Sequence, residues 1–189
     1  MAIRPIAQIG HPVLRTPTRE VTVDELSSRE VQVLIDDMIE TMRNADGAGI
    51  AANQVFESLR IAAIEVADNR RYPYKPPVPL TVIVNPTWRA LDDETVTINE
   101  GCLSVPLRGD LQRHVTIEVS FLDREGTAHI EVLRGLTAGT FQHEIDHLDG
   151  HLIVDRVDPG TLATWEQFEA HQRDGFVDRI TRFVHRVGS

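Results

Sequence analysis

Apolar residues recur over positions 31–42 at the spacing of one helix face: Val31, Leu34, Ile35, Met38, Ile39 and Met42. Ser27 and Glu30 fit a capping box at the start of this helix. Gly47 and Gly49, in "NADGAG", stop it. Ahead of it, Pro5, Pro12 and Pro17 mark residues 1–23 as extended or turn-rich. The period then changes. "LRIAAIEVA" (59–67) is an apolar run of strand length and reads as a buried strand. "DNRRYPYKPPVP" (68–79) is a proline-rich connection, and "LTVIVNP" (80–86) is a strand stopped by Asn85–Pro86. "ETVTINEGCLSVP" (94–106) alternates and turns at Gly101, and residues 114–135 form a hairpin around "DREG". A helix then carries "FQHEIDHLDG" (141–150) and stops at Gly150. From Thr161 a terminal amphipathic helix aligns Phe176, Ile180, Phe183, Val184 and Val187, with an irregularity at Gly175. The pattern predicts an α+β fold: antiparallel or mixed sheets around a central helix bearing "HEIDH", with one N-terminal and one C-terminal helix.

No stretch has the composition of an interdomain linker, so the 189 residues are expected to form one catalytic-size domain, 1–189. A net charge of −10 weighs against a general nucleic-acid binder, and no DNA partner is expected. No apolar run is long enough to span a bilayer, and "MAIRPIAQIGHPVLR" lacks the apolar core of a secretory signal. The expected compartment is the cytoplasm, with no membrane partner. The only cysteine, Cys102, has no partner for an internal disulfide.

The chemistry concentrates in "HEIDH". His143 and His147 stand one helical turn apart on the same face. Phe141, Ile145 and Leu148 make the same helix a core element, where protonated imidazoles are costly and metal-bound neutral ones are not. Glu144, beside them, can take a proton from a water and pass it to a leaving group. Two ligands seldom suffice. A third histidine six residues on, as in metzincins, is absent because position 153 is Ile, and His151 follows the helix-ending Gly150. Glu166 or Glu169 in the last segment, or Cys102 in "EGCLS", remain as third ligands. With a glutamate the protein is a zinc peptidase. The non-enzymatic alternatives are a structural metal site and a non-catalytic binder of N-terminal peptides.

Three stretches together resemble the peptide deformylase family: "GAGIAANQ" (47–54), "EGCLS" (100–104) and "HEIDH" (143–147), in that order, within a similarity running from "GHPVLR" to about Arg156. The resemblance implies a hydrolase that removes the formyl group from the N-terminal formyl-methionine of nascent polypeptides and releases formate. It implies one divalent metal on Cys102, His143 and His147. Fe²⁺ is expected there, with Ni²⁺, Zn²⁺ or Co²⁺ able to substitute. It further implies Glu144 as proton carrier and two oxyanion donors, the Gln54 side-chain amide and the Leu103 backbone N–H. Ala48 and Gly49 would pair with the peptide through their main chain. Glu100, Gly101, Arg108 and Leu136 would also contact substrate, and Ile98, Gly139 and Thr140 would join Ala48 and Leu136 around the methionine side chain. An ion pair between Arg113 and Asp146 would position the helix.

Two departures stand out. Asn53 fills a slot often held by proline, and "VPLRGD" is one residue shorter than the usual segment, which puts the reach of Arg108 in question. The basic tail "DRITRFVHR" offers transient ribosome contact, though a solvated helix face explains it more simply. The assembly expected is a monomer or a homodimer.

Overall fold

The computed structural model describes residues 2–67 and 72–189. In chain order its elements are α1 (Val23–Leu26), α2 (Arg29–Asn44), β1 (Gly49–Ala51), β2 (Ile61–Val66), β3 (Val78–Ala90), β4 (Thr95–Cys102), β5 (Val105–His114), β6 (Thr116–Leu122), β7 (Ala128–Arg134), α3 (Gly135–Leu148), β8 (Ala163–Thr164), α4 (Trp165–His171) and α5 (Arg173–Val187). One sheet has the order β1-β2-β3-β6-β7 and the other β4-β5-β8. Every pairing within the two sheets is antiparallel, so the α+β expectation holds without a mixed sheet.

β2 explains the layering. Ile61 and Ala63 share a core with Leu34, Ile35, Met38 and Met42 of α2. Ala62 and Ile64, pointing the other way, pack with Ala138, Phe141, Ile145 and Leu148 of α3. A strand covered on both faces has no polar side to show, hence the unbroken apolar run in its sequence. The far side of α3 is covered as well: Leu136 joins Ile98, Phe168, Phe176, Ile180 and Phe183, so β4, α4 and α5 close over it. The helix that carries both histidines is therefore buried almost all round. Each such Leu, Ile or Phe contributes roughly 1.5–3 kcal/mol by leaving water, which anchors the helix more firmly than its own propensity does.

Local details differ from the sequence pattern in instructive ways. The capping box belongs to Thr22 and Glu25 at α1, and α2 is capped by Ser28, whose Oγ accepts from the N–H of Val31. Ser27 instead closes α1. β3 does not stop at Asn85–Pro86 but runs through it. Asn85 takes a left-handed conformation (φ 51°), exchanges two hydrogen bonds with the Val21 backbone, and the register against β6 shifts between Val84 and Thr87. At such an irregularity no ladder N–H is required, so proline fits. The C-terminal segment is two helices. Their break falls at Gln172, while Gly175 lies inside α5. Residues 68–71 of the proline-rich connection lie outside the described residues. Among the described residues, no helix is long and apolar enough to cross a membrane.

Candidate metal centre and substrate cleft

α3 delivers His143 and His147 to one face, and the end of β4 brings Cys102 against them. Cys102 Sγ lies 3.1 Å from His147 Nε2, and one ligand atom from each of the three residues falls within 4.8 Å of the others. Glu166 and Glu169, the alternative ligands, are on α4. Neither lines the cleft, and Glu169 pairs with Arg173. The third position of the cluster is thus a thiol.

Hydrogen bonds orient each of these groups. Glu100 Oε2 accepts from His143 Nδ1 at 2.9 Å, which leaves Nε2 to face the Cys102 sulfur. Arg113 donates to both oxygens of Glu100 and, through Nη1, to Asp146. The expected Arg113–Asp146 pair is present, and Glu100 extends it to His143. Burial alone would raise the Glu100 pKa; the Arg113 guanidinium, then the His143 hydrogen bond, bring it far below the usual carboxylate range. Asn53, in the slot often held by proline, donates from Nδ2 to the His147 carbonyl at 2.5 Å and so ties the first motif to the ligand turn.

Burial also opposes ionisation of Cys102, yet the His147 and His143 imidazoles outweigh it and lower its pKa to about 5. The cluster is a thiolate facing two imidazoles with no carboxylate among its members. That donor set suits a divalent transition ion, which replaces the imidazole protons on binding. Glu144 supports this fit. It is buried, its Oε2 has no hydrogen-bond partner among the described residues, and burial raises its pKa. A carboxyl oxygen left unpaired in the interior is costly unless something bound there engages it.

Gln54 sits on the short 3-10 turn Ala52–Val55 that follows β1. Its Oε1 accepts from the Ala51 N–H at 2.8 Å, which fixes the amide orientation. Its Nε2 consequently points to Ser104 Oγ at 3.0 Å and to Cys102 Sγ at 3.8 Å. Leu103 borders the same cleft.

The cleft is lined by Gly47, Ala48 and Gly49 on one side and by Asn99, Glu100 and Gly101 of β4 on the other. Leu136, Gly139 and Thr140 of α3 extend it, with Ile98 opposite. Five residues expected around the methionine side chain, Ala48, Ile98, Leu136, Gly139 and Thr140, are therefore together. Two expected substrate contacts are placed differently. Glu100 borders the cleft, but its carboxylate is engaged by Arg113 and His143. Arg108 is not on the cleft wall. It is buried, with its guanidinium carbon 3.6 Å from the Phe168 ring centre and 4.5 Å from that of Trp165, and it donates to the Asn99 side chain and carbonyl. The short "VPLRGD" segment and the aromatic residues of α4 together turn it inward. Sequence reasoning missed Tyr72, Tyr74 and Lys75, which close the cleft, and Ser104, which holds Gln54.

The chain is similar to known proteins over most of its length. A family profile described as polypeptide deformylase matches residues 3–162, ending just before α4. The chain is similar to peptide deformylase 2 of Nostoc sp., with 43% identity over 86% of this chain and 90% of that protein. It is likewise similar to a peptide deformylase of Leptospira biflexa, at 41% identity over 83% and 89% of the two chains. Its fold resembles the Met-Ala-Ser-bound crystal structure of a class I type b peptide deformylase from Acinetobacter baumannii, with a TM-score of 0.79 and 37% identity, covering 82% of this chain and 99% of that one.

Proposed function

This chain belongs to the polypeptide deformylase family, and we propose on that premise how its residues divide the work of the reaction. The protein is a metal-dependent hydrolase that removes the formyl group from the N-terminus of a peptide. Its substrate is the formyl-methionyl end of a nascent polypeptide, met in the cytoplasm by a single catalytic domain.

Cys102, through Sγ, and His143 and His147, through their imidazoles, hold one divalent ion. When bound, that ion supplies Lewis acidity and makes water nucleophilic near neutral pH. The observation that carries the assignment is the convergence of these three donors beside a buried Glu144 oxygen that has no hydrogen-bond partner among the described residues. Glu144 accepts the proton of the attacking water as the new C–O bond forms. It returns that proton to the amine nitrogen as the C–N bond breaks, so formate and a free amine leave. Gln54 Nε2 and the Leu103 N–H donate to the oxyanion. Gln54 is preset for this by its acceptor bond from Ala51. Glu100 positions His143 rather than binding substrate, and Arg113 fixes Glu100 and Asp146 together. Ala48, Gly49 and Gly101 border the peptide with their main chain, and Leu136 packs against the first side chain.

Thiolate and imidazole ligands suit Fe²⁺ as well as Zn²⁺. Fe²⁺ is our assignment, with Ni²⁺, Zn²⁺ or Co²⁺ as substitutes. Ribosome contact through α5 has less support, because Arg179 and Arg186 are already paired with Asp110 and Glu94. Metal analysis of anaerobically purified protein tests the centre. One equivalent of metal in the wild type and its loss in Cys102→Ala are expected. Full retention in Cys102→Ala would reject the thiolate ligand and favour a peptidase-type site.

A further inference from the structure

None of the three motifs reaches the N-terminal segment, yet that segment bonds to both stretches that hold the oxyanion donors. The Ala7 N–H donates to the Gln54 carbonyl at 2.8 Å, and the Ile9 N–H donates to the Ser104 carbonyl at 2.8 Å. Between them, Gln8 Nε2 donates to the Leu103 carbonyl at 3.1 Å and to the Ile6 carbonyl at 3.3 Å. Both neighbours are carbonyl oxygens, so the amide nitrogen is the end that faces them. Ala7 is buried in one cluster with Leu14, Val105 and the partly buried Cys102, which anchors the segment. Gln8 itself is exposed and stands outside the substrate cleft.

The Leu103–Ser104 peptide is the middle of a two-residue turn, since Cys102 pairs with Val105 across the β4–β5 hairpin. Hairpins of this length favour turns with a positive φ at one or both central residues, because that twist suits the strands. Neither Leu103 nor Ser104 has a positive φ. The strands therefore do not set this turn, and its orientation comes from bonds made outside the ladder. A peptide is planar, so one bond on each edge fixes its rotation. Here the carbonyl edge accepts from Gln8, and the Ser104 N–H donates to Cys102 Sγ at 3.3 Å. The two common unprimed turns differ by a half-rotation of this middle peptide. That rotation would put the Leu103 carbonyl, with its partial negative charge, in place of the Ser104 N–H against the sulfur.

We propose that Gln8 is a positioning residue for deformylation: from outside the cleft it holds the Leu103–Ser104 peptide in the orientation that keeps the Ser104 N–H on the ligand sulfur and the Leu103 N–H unopposed at the oxyanion. The bond to the Leu103 carbonyl also polarises the Ser104 N–H and strengthens its donation to a thiolate. Because Gln8 lies outside the cleft, its removal weakens stabilisation of the transition state rather than peptide binding, so kcat falls while KM holds. This deepens the deformylase reading and rests on it.

The test compares Gln8→Glu, which keeps the shape and loses the donor, with Gln8→Lys, which keeps a donor. Formate release from formyl-Met-Ala-Ser is measured on the Fe²⁺-loaded full chain, and the Ser104 amide proton is followed by NMR on the Zn²⁺-loaded full chain. Gln8→Glu should lower kcat by about three- to tenfold, the worth of one hydrogen bond, with KM unchanged and the Ser104 amide proton moved upfield. Gln8→Lys should keep both kcat and the Ser104 shift close to wild type. Wild-type kcat in Gln8→Glu, an unmoved Ser104 amide, a loss confined to KM, or an equal loss of kcat in the two variants would overturn the assignment. No formate from the wild type would reject the reaction instead, and the Ser104 amide would still decide separately whether Gln8 holds the turn.

Discussion

A Cβ atom built on Gly49 would stand 2.3 Å from Oε1 of Glu144 and 2.8 Å from its Cγ. β1 therefore passes against the carboxylate with no space for a side chain, and the glycine of the first motif exists to let Glu144 stand where it does. Gly49→Ala should push the carboxylate aside while leaving the metal ligands in place. A misplacement of about 1 Å costs roughly 10²-fold in rate. Wild-type turnover together with normal metal content in Gly49→Ala would remove this role.

The network from Asp146 through Arg113 and Glu100 to His143 is buried, so its members depend on one another. Glu100→Gln replaces the acceptor of His143 and weakens the hold of Arg113. Metal affinity, read by chelator competition, should fall by about 10–100-fold. Asp146→Asn leaves Arg113 less well compensated, and thermal unfolding should move to lower temperature. An unchanged chelator titration in Glu100→Gln would mean that His143 needs no such acceptor.

Gln54→Ala removes one oxyanion donor and the bond to Ser104. Turnover should fall by about 10²–10³-fold, with a much smaller change in KM, because the donor acts on charge that develops only in the transition state. A rise in KM with kcat preserved would make Gln54 a substrate-binding group instead.

Asp37 on α2 sets an acid limb of stability away from the cleft. The Ala2 N–H, and then the Arg4 guanidinium, hold its pKa below the ordinary value against the opposing effect of burial. A depressed folded-state pKa means that the stabilisation is complete above the unfolded value of about 3.9. It is lost as pH falls through the folded value. Asp37→Asn should lower the melting temperature at pH 7, and the deficit should shrink as pH falls below the unfolded value. An undiminished deficit at low pH would mean that the carboxylate's ionisation is not what stabilises this corner.

Much of this was readable from residue order because the chemistry is local or strongly typed. His143, Glu144 and His147 share one helix turn, and only one cysteine exists to complete them. β2 announced its burial by carrying no polar side. Other features depend on partners far along the chain. Glu100 is one of 29 acidic residues, and nothing in its surroundings says that it faces His143. Arg108 lies in β5 where the family resemblance implies a substrate contact, but Trp165 and Phe168, which draw it inward, lie in the tail beyond the three motifs. Pro86 looked like a stop because the bulge that admits it is made by Asn85 bonding to Val21. Lys75 lies in a proline-rich segment with no periodicity, and only its being the sole lysine set it apart.

The most direct test of the account is formate released from formyl-Met-Ala-Ser by wild type and Glu144→Gln, each loaded anaerobically with one equivalent of Fe²⁺. The wild type should release one formate per peptide. Glu144→Gln should be slower by about 10²–10⁴-fold, the contribution of a positioned proton carrier. No formate from the loaded wild type, or equal rates for the two proteins, would contradict it.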